Sequence, residues 1–313
     1  MIKNKMFFLT QYIAATVIIC IFVQLSSGDE NIDLFKKIAE IREEEHLVKF
    51  LDSLDTSELL TLGHQYGVWV QQNPNVIIDM GHHQLMLTIM EKYVHLSNGK
   101  PDRNKIQSII ISKDEPWFWR TMWIVWLREN IHEKPGLYVY FSDDLPSFFN
   151  IFSSITTDKK EDAHVRKKVI NESVRLLSYG IKSYKNEIKS TSIGEFINLQ
   201  TKNEILILIE LINDPKENVD VIKESLKGLK RLFPYVEPSY AENIKACIKH
   251  AFDKREQYPH EVQIAFADWI ISLIGKESIK QEVDLLEKEY PSFEEEIKRL
   301  RRKMGTENIG NFF

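Results

Sequence analysis

Apolar residues recur along this chain with the period of a helix. Val262, Ala265, Phe266, Trp269, Ile270, Leu273 and Ile274 fall at i, i+3, i+4 and i+7, with Gln263 and Asp268 off the stripe. Val219, Ile222, Leu226, Leu229, Leu232 and Phe233 repeat the pattern, as do Val165, Val169, Leu176, Leu177 and Ile181. Start signals accompany the stripes. Asp214-Pro215-Lys216-Glu217 sets a capping Asp before a first-turn Pro, with Glu where a capping box needs it. Asp55 with Glu58, Ser239 with Glu242 and Ser292 with Glu295 share that spacing. The last helix is expected from Phe293 and ends on Lys298, Arg299, Arg301, Arg302 and Lys303 before Gly305, bases that complement the macrodipole.

Pro215, Pro238, Pro259 and Pro291 each stand where a new stripe begins, spaced by roughly one helix and a short turn. Short connections between helices of similar length imply antiparallel neighbours. The stretches Asp162-Ala163-His164-Val165-Arg166, Asp214-Pro215 through Leu229, and His260-Glu261-Val262 through Trp269 carry a further likeness. Over residues 160–290 the chain resembles the HEAT/armadillo type of helical repeat. That resemblance implies an all-α fold of antiparallel helix pairs stacked as an irregular solenoid, and a role in binding proteins. The expected organisation is an N-terminal helical region over 29–155, HEAT-like repeats over 156–305, and a tail over 306–313. Polar Thr156 to Asp162 reads as the linker between the two halves. Gly136 to Phe141 has strand propensity but is short, and reads as a lone extended segment or the start of another helix.

Residues 1–28 stand apart from this pattern. Lys3 and Lys5 precede a mostly apolar run from Met6 to Val23, and Ser26-Ser27-Gly28 offers small residues before Asp29. That is the order of a secretory signal peptide, so the chain is expected to be exported, periplasmic or extracellular. The alternative is an uncleaved membrane anchor through residues 6–23. With Lys3 and Lys5 removed, 39 basic residues face 46 acidic ones, for a charge of −7. An acidic chain is not a bulk nucleic-acid binder. Gly and Pro together make 22 of 313 residues, about 7%, too few for the tight turns of a sandwich or barrel. Cys247 is the one thiol after residue 28; between Ile244, Ile248 and Ala251 it reads as a small buried hydrophobe.

Motifs for catalysis are sparse. The chain has no GxGxxG, P-loop or GxSxG, and neither His132-Glu133 nor His260-Glu261 has a second His at zincin spacing. No metal or cofactor is implied; His64, His82 and His83 read as polar surface or boundary residues, because adjacent helical histidines point about 100° apart. Lys227, Lys230 and Arg231, and Arg166-Lys167-Lys168, read as solvated faces, and the sequon Asn171-Glu172-Ser173 falls mid-helix. One concentration rises above this background. Eleven of the chain's 34 aromatics fall within residues 117–152. Trp119, Trp123 and Trp126 share a face of a helix that is apolar almost all round, as in the buried centre of a bundle. The sharper reading is a groove in which Trp119, Trp123, Trp126, Tyr138 and Tyr140 bind a peptide or sugar.

Two function classes follow. The favoured one is an exported, non-enzymatic helical scaffold for a protein or peptide partner. The other is an exported all-helical glycan-active enzyme of the α/α-toroid type, with Asp143 or Asp144 as an acid.

Overall fold

The computed structural model describes residues 44–73, 80–97, 102–133, 145–183, 192–273, 283–284, 288 and 294–305. Among them every regular element is a helix: twelve α-helices and two short 3₁₀ turns. None of these helices is long and apolar enough to cross a membrane. The chain divides into two units between Ser142 and Asp143.

The first unit holds α1 (Glu44–Ser53), α2 (Thr56–Gln72), α3 (Met80–Leu96), α4 (Arg103–Ile111) and α5 (Trp117–Glu133). Helix α2 starts on the expected capping box: Asp55 accepts the N–H groups of Ser57 and Glu58, and Glu58 accepts that of Asp55, all at 2.8 Å. Helix α5 packs on α2, α3 and α4, so it needs apolar residues on nearly every face. It has them, with Phe118, Trp119 and Met122 to Leu127 all buried. Gly63 makes the α2 contact possible. A Cβ there would lie 2.5 Å from the Trp119 ring, too close for any side chain.

The second unit holds α6 (Leu145–Thr157), α7 (Ala163–Ser183), α8 (Ser192–Ile212), α9 (Val219–Leu232), α10 (Pro238–Asp253), α11 (His260–Leu273) and α12 (Glu294–Gly305). Each of the pairs α6/α7, α8/α9 and α10/α11 is in contact. Contacts also skip one helix: α6 touches α8, α8 touches α10, α7 touches α9, and α9 touches α11; α11 in turn touches α12. Most of the stripes read from the sequence form these seams: Val165, Val169, Ile222, Leu226, Leu229, Val262, Phe266 and Ile270 are all buried. Val219, expected on the α9 stripe, is only half-buried, and Val221 is buried in its stead.

One turn recurs three times. Before α5, α7 and α9 the N–H of Glu115, Glu161 and Glu217 bonds the carbonyl three residues back, at Ser112, Asp158 and Asp214. In two copies an arginine closes the turn. Arg120 Nε donates to the Ile110 carbonyl and Arg166 Nε to that of Thr156, each at 2.9 Å. Each guanidinium thus caps the C-terminal end of the preceding helix, where a cation is favoured.

Several boundaries differ from the expected ones. Helix α9 starts at Val219, not Pro215: Asp214 takes the Lys216 N–H within the turn, and Asn218 caps the helix through Asp220 and Val221. Helix α10 starts at Pro238, so Ser239 is already helical and Glu242 pairs instead with Lys245. Of the expected linker Thr156–Asp162, Thr156 and Thr157 end α6 and the rest is the α6–α7 turn, which lies inside the second unit and is tied to the end of α6 by Arg166. Residues 134–144, with Gly136–Phe141, and Pro291, Ser292 and Phe293 lie outside the described residues.

Candidate functional site

Trp119, Trp123 and Trp126 are 1%, 0% and 1% exposed. Their rings meet edge to face, Trp119 on Trp123 at 5.2 Å and Trp123 on Trp126 at 5.5 Å, and Tyr93 of α3 packs against Trp123 at 5.8 Å. They are the core of the first unit. The groove reading fails for them because neighbouring helices already cover their faces. Tyr138, Tyr140, Asp143 and Asp144 lie outside the described residues.

A different site lies in the second unit. Helices α9, α11 and α12 border a cleft of about 300 Å³. The helical period brings its residues together: Lys223, Leu226, Lys227 and Lys230 along α9, and Glu261, Ile264, Ala265, Asp268 and Trp269 along α11. Arg299 of α12 completes the lining. Leu226 and Ile264 supply an apolar floor, and Trp269 forms part of the wall, its ring packed edge to face on Phe233 at 5.7 Å. The Trp269 side chain is 1% exposed and its Nε1–H has no acceptor among the described residues.

Four cations and two carboxylates line the cleft, and some are already matched. Lys230 donates to Ser272 Oγ at 2.7 Å and pairs with Asp268 at 3.3 Å; Lys227 pairs with Glu224 at 3.1 Å. Lys223, Arg299 and Glu261 form no hydrogen bond or ion pair among the described residues. Among the described residues the cleft therefore presents two cations, Lys223 (whose charge also acts on Asp220) and Arg299, and one carboxylate, Glu261, without a hydrogen bond or ion pair, around an apolar floor.

Lys227 and Lys230 were read from the sequence as a solvated face. What the linear pattern lacks is the partner helices, since Arg299 reaches the cleft from a helix 30 residues beyond Trp269. Arg166 also departs from its expected solvated place: it is buried and forms two 2.7 Å bonds to Glu217. Its signal was present in the spacing Glu-x4-Arg, shared by Glu115 with Arg120 and Glu161 with Arg166. Cys247 is half-buried rather than buried. The sequon is closed, as its mid-helix place implied, since Asn171 Nδ2 donates to Glu224 at 2.6 Å and Ser173 is fully buried. His64 meets Glu115 at 2.7 Å, and among the described residues no three His, Cys, Asp or Glu side chains cluster to hold a metal.

Comparison with protein-family models, with curated proteins and with solved structures finds no match.

Proposed function

We propose that this chain is an exported, non-catalytic helical scaffold of HEAT type that binds a protein or peptide partner through its second unit. The observation that carries the reading is the order in which the helices pack. Contacts between sequence neighbours, plus contacts that skip one helix, are what a two-layer stack of antiparallel pairs would produce. The turn that recurs before α7 and α9 supports the same reading. In such a stack one row of helices offers a continuous surface, and here the row α7, α9, α11 and α12 carries the cleft.

A photo-crosslinking residue placed at exposed Lys227 in the cleft, and in a second variant at exposed Glu242 on α10, tests this. In the exported fraction of the native source, one protein should be trapped from position 227 and not from 242. A polysaccharide panel hydrolysed by the purified chain, or no adduct at 227, would overturn the scaffold reading.

A further inference from the structure

Resting on that scaffold reading, we infer that the cleft between α9, α11 and α12 receives an acidic peptide segment of the partner, a carboxylate side chain next to an apolar one. The charge pattern argues for it. Lys223 and Arg299 are the lining cations that make no hydrogen bond or ion pair among the described residues, and a carboxylate entering the cleft would meet them with charge-assisted hydrogen bonds. Leu226 and Ile264 line the same cleft and offer an apolar surface for an aliphatic side chain. Glu261, the uncommitted carboxylate, is an acceptor for a backbone N–H of the same segment.

Other anions fit less of this. Inorganic phosphate would leave the apolar floor of Leu226 and Ile264 bare. A nucleic acid brings no aliphatic side chain to lay against Leu226 and Ile264. Trp269, buried at the wall, has no open face on which a base could stack.

Binding of a fluorescein-labelled peptide alternating glutamate and leucine to the whole chain, followed by anisotropy, tests the inference. The peptide should bind, its glutamine-leucine counterpart should not, and added salt should weaken binding as screening requires. Lys223→Glu with Arg299→Glu should reduce affinity about tenfold or more while leaving the melting temperature in place. Lys249→Glu, a charge reversal on exposed α10, should leave affinity unchanged. Equal binding of both peptides, no binding, or a double variant that binds as the parent does would overturn the inference. So would displacement by phosphate or by a single-stranded oligonucleotide at lower concentration than by unlabelled acidic peptide. The double variant also separates the two proposals. If it still traps the same protein from position 227, the acidic cleft is wrong and the scaffold stands; if the parent traps none, the scaffold itself fails.

Discussion

Glu204 of α8 is 4% exposed, and among the described residues its hydrogen-bond partner is Ser173 of α7 at 2.7 Å. Burial pushes its carboxyl up to about 7 from an ordinary 4.5, and the Ser173 bond offsets only part of that. The bonding explains why the neutral acid suits the site. Protonated Glu204 can donate to Ser173 Oγ, leaving the serine proton for the Ile170 carbonyl at 3.1 Å. The sign follows from linkage. A carboxyl whose folded value is raised holds its proton longer in the folded state, so stability falls as pH climbs from 4.5 to 7 and is level above. Converted at 1.36 kcal/mol for each unit of pKa, the loss is about 3 kcal/mol. Glu204→Gln keeps the shape and removes the charge. Urea unfolding should find it more stable than the parent at pH 8, by up to that amount, and nearly equal at pH 5. An equal difference at both values would mean that Glu204 is not the titrating group.

The seam between α7 and α9 shows which charges matter. Arg166 and Glu217 are 3% exposed on each side and joined by two parallel bonds, whereas Lys167 and Asp220 meet at 3.2 Å in the open. Burial alone would raise the Glu217 carboxyl; the Arg166 bonds and the Asn218 N–H outweigh it and hold the group below its usual range. Its contribution is therefore present above the ordinary pKa and lost as pH falls through the depressed one. Glu217→Gln strands a buried guanidinium and should cost about 3–5 kcal/mol, while Arg166→Met with Glu217→Leu should cost less than Glu217→Gln alone. Lys167→Ala should change stability by no more than about 1 kcal/mol. Denaturant unfolding of the three variants decides this, and a double variant worse than the single would refute it. Nothing in Arg166-Lys167-Lys168 alone separates these fates, because neighbours on a helix face different ways and only the packed partner assigns burial. The apolar stripes and the Asp55 cap were legible because they are local. The start of α9 was not, since Asp214 serves a turn and Asn218, four residues on, does the capping.

At the scale of the molecule, the all-helical composition was legible from periodicity and scarce Gly, whereas the choice between core and groove for Trp119, Trp123 and Trp126 was not, because an all-apolar helix face suits both and only the packed neighbours show it buried. The cleft was not, because it draws on three helices that only packing brings together. The division at Ser142 was missed for a related reason: polar Thr156–Asp162 looks like a linker until Arg166 is seen to close it. Export, the remaining part of the proposed function, rests on residues 1–28, which lie outside the described residues. Their order has a physical logic. Lys3 and Lys5 favour a cytoplasmic N-terminus, the run Tyr12 to Val23 is shorter than the roughly 20 residues a spanning helix needs, and Ser26 and Gly28 are small enough for a peptidase cleft. Mass spectrometry of the native protein should therefore find a first residue at Asp29, in a fraction outside the cytoplasm. An intact N-terminus in the membrane fraction would make residues 6–23 an anchor. An intact N-terminus in the cytosol would remove export altogether, and with it the exported partner that the cleft was proposed to hold.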